Sequence, residues 1–84
     1  MKPVKRLNHK IEKDGVTKEL DILIYDIDII WYLVETSGHD NVNEFTEDQS
    51  YDDYLKNGPP QFVPELSTEI KDEIYSVLKN KKLN

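Results

Sequence analysis

The chain contains no cysteine. That excludes disulfides, cysteine nucleophiles and thiolate zinc sites. Its three glycines, Gly15, Gly38 and Gly58, lie too far apart to build a phosphate-cradling loop. No apolar run approaches the roughly 20 residues that span a bilayer. The opening Met1-Lys2-Pro3-Val4-Lys5-Arg6 leads into no apolar stretch of the signal-peptide kind. The expected setting is cytoplasmic, without membrane contact. A further absence concerns one sign of charge: the 37 residues between Lys18 and Lys56 include no Lys or Arg.

What fills that gap is acid. Eleven carboxylates lie there: Glu19, Asp21, Asp26, Asp28, Glu35, Asp40, Glu44, Glu47, Asp48, Asp52 and Asp53. Residues 1–18 carry +4, residues 19–75 carry −13 and residues 76–84 carry +3, within a net charge of −6. Solvated surfaces normally mix both signs, and an unmixed acidic stretch repels itself. Such a stretch suits a basic partner. The plainer account is that the basic ends fold back and neutralise the middle. At 84 residues the chain is read as a single domain, 1–84, with a thin core fed by five Tyr, two Phe and one Trp.

Asp14-Gly15 is a favoured two-residue hairpin turn. It sets Lys13 opposite Val16, Ile11 opposite Lys18, His9 opposite Leu20 and Leu7 opposite Ile22. Leu7, His9, Ile11, Val16, Leu20, Ile22 and Ile24 then share one face. Arg6, Lys10, Glu12, Thr17, Glu19, Asp21 and Leu23 share the other. Residues 27–34 are the most apolar stretch, and their periodicity fits strand or helix. Asp28 as a cap and Gly38 as a stop favour a helix over 29–36. Thr46 followed by Gln49 makes a capping-box pattern for another helix, ended by Gly58-Pro59-Pro60. The linker 58–64 should be extended. Ile70, Ile74, Val77 and Leu78 form a buried helical stripe that begins at Ser67 or Thr68. Lys79, Lys81 and Lys82 suit its C-terminal end, and the last few residues should fray.

The expected fold is therefore α+β: an N-terminal hairpin, extendable to a three-stranded antiparallel sheet, packed against two or three helices. The expected core is Leu7, Ile11, Leu20, Ile22, Ile24, Ile29, Ile30, Leu33, Val34, Leu55, Ile70, Ile74, Val77 and Leu78.

No catalytic or metal constellation stands out. His9 falls on the inner hairpin face as a structural residue, and His39-Asp40 lacks further His or Cys ligands and a marked nucleophile. Asp26-Ile27-Asp28 has a spacing that can hold Mg²⁺, but the triplet is a common pattern and capping with solvation is the favoured account. A calcium loop starting at Asp40 fails at Val42. No cofactor, metal or direct nucleic-acid contact is expected, since phosphates need Lys and Arg. The remaining signal is acids interleaved with aromatics. Glu44, Glu47, Asp48, Tyr51, Asp52, Asp53 and Tyr54 are the candidate partner-binding residues, with carboxylates steering and tyrosines anchoring. The alternative for Tyr51 and Tyr54 is packing on the hairpin.

In size, charge, lack of cysteine and Lys/Asn/Ile/Asp-rich usage, the chain is similar to phage-borne inhibitors of nucleases and restriction systems, nuclease immunity proteins and antitoxins. That likeness is compositional and assigns no residue a role. The expected function is a non-enzymatic acidic protein that inhibits or modulates a basic protein. A nucleic-acid-handling enzyme, blocked by DNA mimicry, is among the candidate partners. The alternative is a small self-associating assembly subunit, such as a homodimer.

Overall fold

Asp14 and Gly15 both take positive φ, 53° and 78°, as a tight hairpin turn requires. Around that turn β1 (Lys5–Lys13) pairs with β2 (Val16–Ile24) in the register expected from the alternation, Leu7 opposite Ile22 and Lys13 opposite Val16. The computed structural model describes residues 2–82, with side chains through residue 80. Two further strands follow, β3 (Asp28–Ser37) and β4 (Asn41–Ser50), then helices α1 (Tyr51–Asn57) and α2 (Thr68–Lys82). The four strands form one antiparallel meander in the order β1-β2-β3-β4. The domain is α+β, with one more strand than the sequence suggested and two helices.

Residues 29–36 are therefore strand, not helix. Asp28 caps nothing helical. Its carbonyl accepts from the Tyr25 N–H at 2.8 Å and closes the tight β2–β3 turn at Asp26-Ile27. Gly38, with φ 70°, serves the β3–β4 turn rather than a helix stop. β3 lies between β2 and β4 and pairs along its length with both, which suits its β-branched and aromatic residues.

The second expected helix also starts later than the Thr46/Gln49 pattern implies. Both residues belong to β4. The cap is Ser50, whose Oγ accepts from the Asp53 N–H at 3.1 Å. Gly58 ends α1 in a positive-φ conformation, its N–H donating to the Tyr54 carbonyl at 2.8 Å. α2 begins where the sequence suggested, with Ser67 Oγ accepting from the Ile70 N–H. The Lys81 and Lys82 side chains, and the expected fraying, fall outside the described residues.

The core sits on one face of the sheet. Leu7, Leu20, Ile22, Ile24, Ile29, Trp31 and Leu33 are buried there and form one cluster with Tyr51, Leu66, Ile74 and Leu78. Trp31 and Tyr54 rings meet at 5.7 Å, and Phe62 of the linker stacks on Phe45 at 5.6 Å. Ile11, Ile30, Val34, Ile70 and Val77 are half-buried rather than fully in the core. Leu55, an expected core residue, is 42% exposed, because α1 turns Tyr51 and Tyr54 inward instead. Trp31, Tyr51 and Leu66 join the core beyond the residues expected there.

Candidate functional site

Both helices contribute to the cluster on one sheet face, so the residues that alternate with that cluster define the other. On β2 these are Thr17, Glu19, Asp21 and Leu23; on β3 they are Asp28, Ile30, Tyr32, Val34 and Thr36; on β4 they are Val42, Glu44, Thr46, Asp48 and Ser50. No Lys or Arg stands among them. Among the described strand residues, the cations on this face are Arg6 and Lys10 of β1. The outcome is five carboxylates on β2, β3 and β4, Glu19, Asp21, Asp28, Glu44 and Asp48, with Glu12 of β1 a sixth, around half-buried Leu23, Ile30, Tyr32 and Val34.

The pairing explains how these acids are held close together. Asp21 and Glu19 share one β1 partner: Asn8 Nδ2 donates to Asp21 Oδ1 at 2.8 Å and to Glu19 Oε2 at 3.2 Å. The Tyr32 hydroxyl donates to Glu44 Oε1 at 2.9 Å. That bond favours the neutral phenol and raises the Tyr32 pKa. Asp28 is raised above its ordinary value, first by a side-chain hydrogen bond with Asp48, then by burial and by the Asp48 charge. The two carboxyl groups are thus close enough that the proton on Asp28 is favoured.

The residues singled out from sequence are divided by this geometry. Glu44 and Asp48 lie on the helix-free face. Glu47 points the other way, opposite Trp31, into a shallow groove of about 760 Å³ lined also by Gln49, Asp53, Asn57 and Phe62. Asp52 is exposed on α1. Asp53 receives Gln49 Nε2 at 2.8 Å and Asn57 Nδ2 at 2.6 Å, and these bonds hold its pKa below the ordinary value. Tyr51 is 8% exposed and its hydroxyl donates to the Tyr25 carbonyl, tying α1 to the β2–β3 turn. Tyr54 packs on Trp31, and burial raises its pKa. The two tyrosines therefore pack against the sheet.

Glu19, Asp21 and Asp28 join Glu44 and Asp48 without having been selected with them. The alternation in the first hairpin had already put Glu19 and Asp21 on the non-core face. Only knowledge that β3 and β4 continue the same sheet links them to Glu44 and Asp48. The basic N-terminal strand borders this face at one edge, where Lys10 lies opposite Glu19 and Arg6 opposite Leu23. Lys5 pairs with Glu73 at 3.6 Å and Lys10 with Glu12 at 3.5 Å, while Lys18 meets Glu35 at 3.6 Å on the helix-bearing side.

His9 is half-buried opposite Leu20, and His39 is exposed in the β3–β4 turn. Among the described residues, no group of three or more His, Cys, Asp or Glu is placed to hold a metal ion. Among them, too, no helix is long and apolar enough to cross a membrane. Neither a family model, nor a curated protein, nor a solved structure matches this chain.

Proposed function

We propose that this chain is a non-enzymatic binding protein that docks a basic protein on its helix-free sheet face and so inhibits or modulates it. The observation that supports this reading is the composition of that face. On β2, β3 and β4 that face holds five carboxylates around an apolar centre of Leu23, Ile30, Tyr32 and Val34 and no cation, Lys18 of β2 lying on the helix-bearing face. Aromatic and aliphatic side chains supply contact area, and the acids steer a cationic surface and set its orientation. Strand geometry sets Glu19 and Asp21 about 6.8 Å apart along β2, and Glu19 and Glu44, on either side of Val34, about 9.6 Å apart across β3. A nucleic-acid-handling enzyme, whose cleft is lined with Lys and Arg for phosphates, is the class of partner this array suits best.

The test is affinity capture followed by calorimetry with the captured protein. One bait is wild type. The second carries Glu19→Gln, Asp21→Asn, Glu44→Gln and Asp48→Asn. The third carries Asp52→Asn alone, on α1. The expected result is a basic protein retained by the first and third baits and lost by the second, with affinity falling steeply between low and high salt. Equal retention by all three baits, or salt-independent binding, overturns the assignment of this face.

A further inference from the structure

The two edges of the sheet carry opposite charge. β1 presents Lys5, Arg6, Lys10 and Lys13 against a single acid, Glu12. β4 presents Glu44, Glu47 and Asp48 and no cation. Natural edges are commonly guarded by Lys, Pro or a covering segment. β4 carries no Lys or Pro, every residue from Asn41 to Asp48 is exposed, and the linker's Phe62 meets the strand at Phe45, on its core face.

The charges also match row by row. On the helix-free face one row runs Arg6, Leu23, Ile30, Asp48 across the four strands. A second row runs Lys10, Glu19, Val34, Glu44. Each starts with a cation on β1 and ends with an acid on β4. With four alternating strands, β1 and β4 run in opposite directions. A second copy displaced sideways by one sheet width therefore sets its β1 antiparallel to β4 of the first. In that register Asp48 lies opposite Arg6 of the second copy, and Glu44 lies opposite Lys10. On the other face Glu47 sits diagonal to Lys5 of the second copy. Directly opposed unlike charges stabilise antiparallel pairs, and like charges oppose them.

We propose that β4 of one copy pairs with β1 of another, extending the sheet from molecule to molecule through the Asp48–Arg6 and Glu44–Lys10 contacts. The two edges differ, so the contact is heterologous and continues past two copies into a ring or a filament. This association requires no basic partner protein, and its test contains none.

A charge-swap pair decides it, read by sedimentation velocity over a concentration series at low salt. The first variant carries E44K and D48K; the second carries R6E and K10E. All four side chains belong to exposed residues, and circular dichroism reports whether each variant keeps its fold. Wild type should gain mass with concentration. Each variant alone should associate at least about tenfold more weakly, because both edges then carry one sign. Mixing the two variants should restore association, since each acidic edge again meets a basic one. Should a reversed variant fail to fold, E44Q with D48N replaces it and should weaken association in the same direction. A wild type that stays monomeric at every concentration overturns the proposal. So does a mixture of folded variants that remains as dissociated as its components.

Discussion

Trp31 and Gln49 complete each other beneath the surface. The indole Nε1 donates to Gln49 Oε1 at 2.9 Å, with Trp31 0% and Gln49 4% exposed. The Gln49 amide nitrogen is equally committed, donating to Asp53 and to the Gly58 carbonyl, each at 2.8 Å. One polar side chain thus joins β3, the first turn of α1 and its end. Gln49→Leu would leave a buried indole N–H without an acceptor, at a cost of about 1–3 kcal/mol. Urea unfolding followed by Trp31 fluorescence checks this. A midpoint equal to wild type would show that the amide is dispensable.

Ile74 is fully buried beneath the sheet. Ile74→Asp places an unpaired charge in a thin core, and the domain should lose its cooperative melt. Circular dichroism against temperature is sufficient to see it. An unchanged transition would remove α2 from its place on the sheet.

Asp28 provides a pH dependence with a definite sign. Its folded pKa lies above the ordinary 3.8, so the native state holds its proton more tightly than the unfolded chain does. Stability from this group is therefore greatest at low pH and declines as pH rises through the raised value. Asp28→Asn should melt like wild type below pH 3.8 and at a higher temperature at pH 7. A lower melting temperature at pH 7 would contradict the repulsive contact with Asp48.

Asp53 has the opposite sign. Hydrogen bonds from Gln49 and Asn57 hold its pKa below 3.8 in the folded state. Its contribution is full above that ordinary value and fades as pH falls through the lowered one. Asp53→Asn should be less stable than wild type at pH 7, with the gap closing in acid. A gap that persists unchanged at low pH would assign the loss to something other than the carboxylate.

Ser50 caps α1 through its bond to the Asp53 N–H. Ser50→Ala should cost about 1 kcal/mol, measured by urea unfolding. Thr46→Ala should not reproduce a cap loss, because Thr46 lies within β4.

The first hairpin and α2 were legible because each carries a clean period together with its own punctuation: Asp14-Gly15 for one, Ser67 and the Ile70–Leu78 stripe for the other. β3 was not legible as strand. Its core side, Ile29, Trp31 and Leu33, alternates with Ile30, Tyr32 and Val34, so both faces are apolar and the period of two disappears. β4 hid for the opposite reason. Its core side offers Asn43, Phe45, Glu47 and Gln49, and only one of these is apolar. The pattern Thr46-x-x-Gln49 imitates a cap four residues ahead of the Ser50–Asp53 pair that forms one. The candidate site depended on the same two strands. Its acids could be counted from sequence, but their shared face became visible only once β3 and β4 joined the sheet.

Every ladder in this meander joins strands that follow one another along the chain. Loop closure is therefore cheap at each step, and the sheet can assemble hairpin by hairpin as the polypeptide lengthens. The covering layer arrives last: Leu66, Ile74 and Leu78 reach the cluster only after all four strands exist. Until then the apolar side of β2 and β3, Trp31 included, faces water on a nascent sheet. A chain truncated before α2 should therefore keep that side bare and aggregate more readily than the full domain.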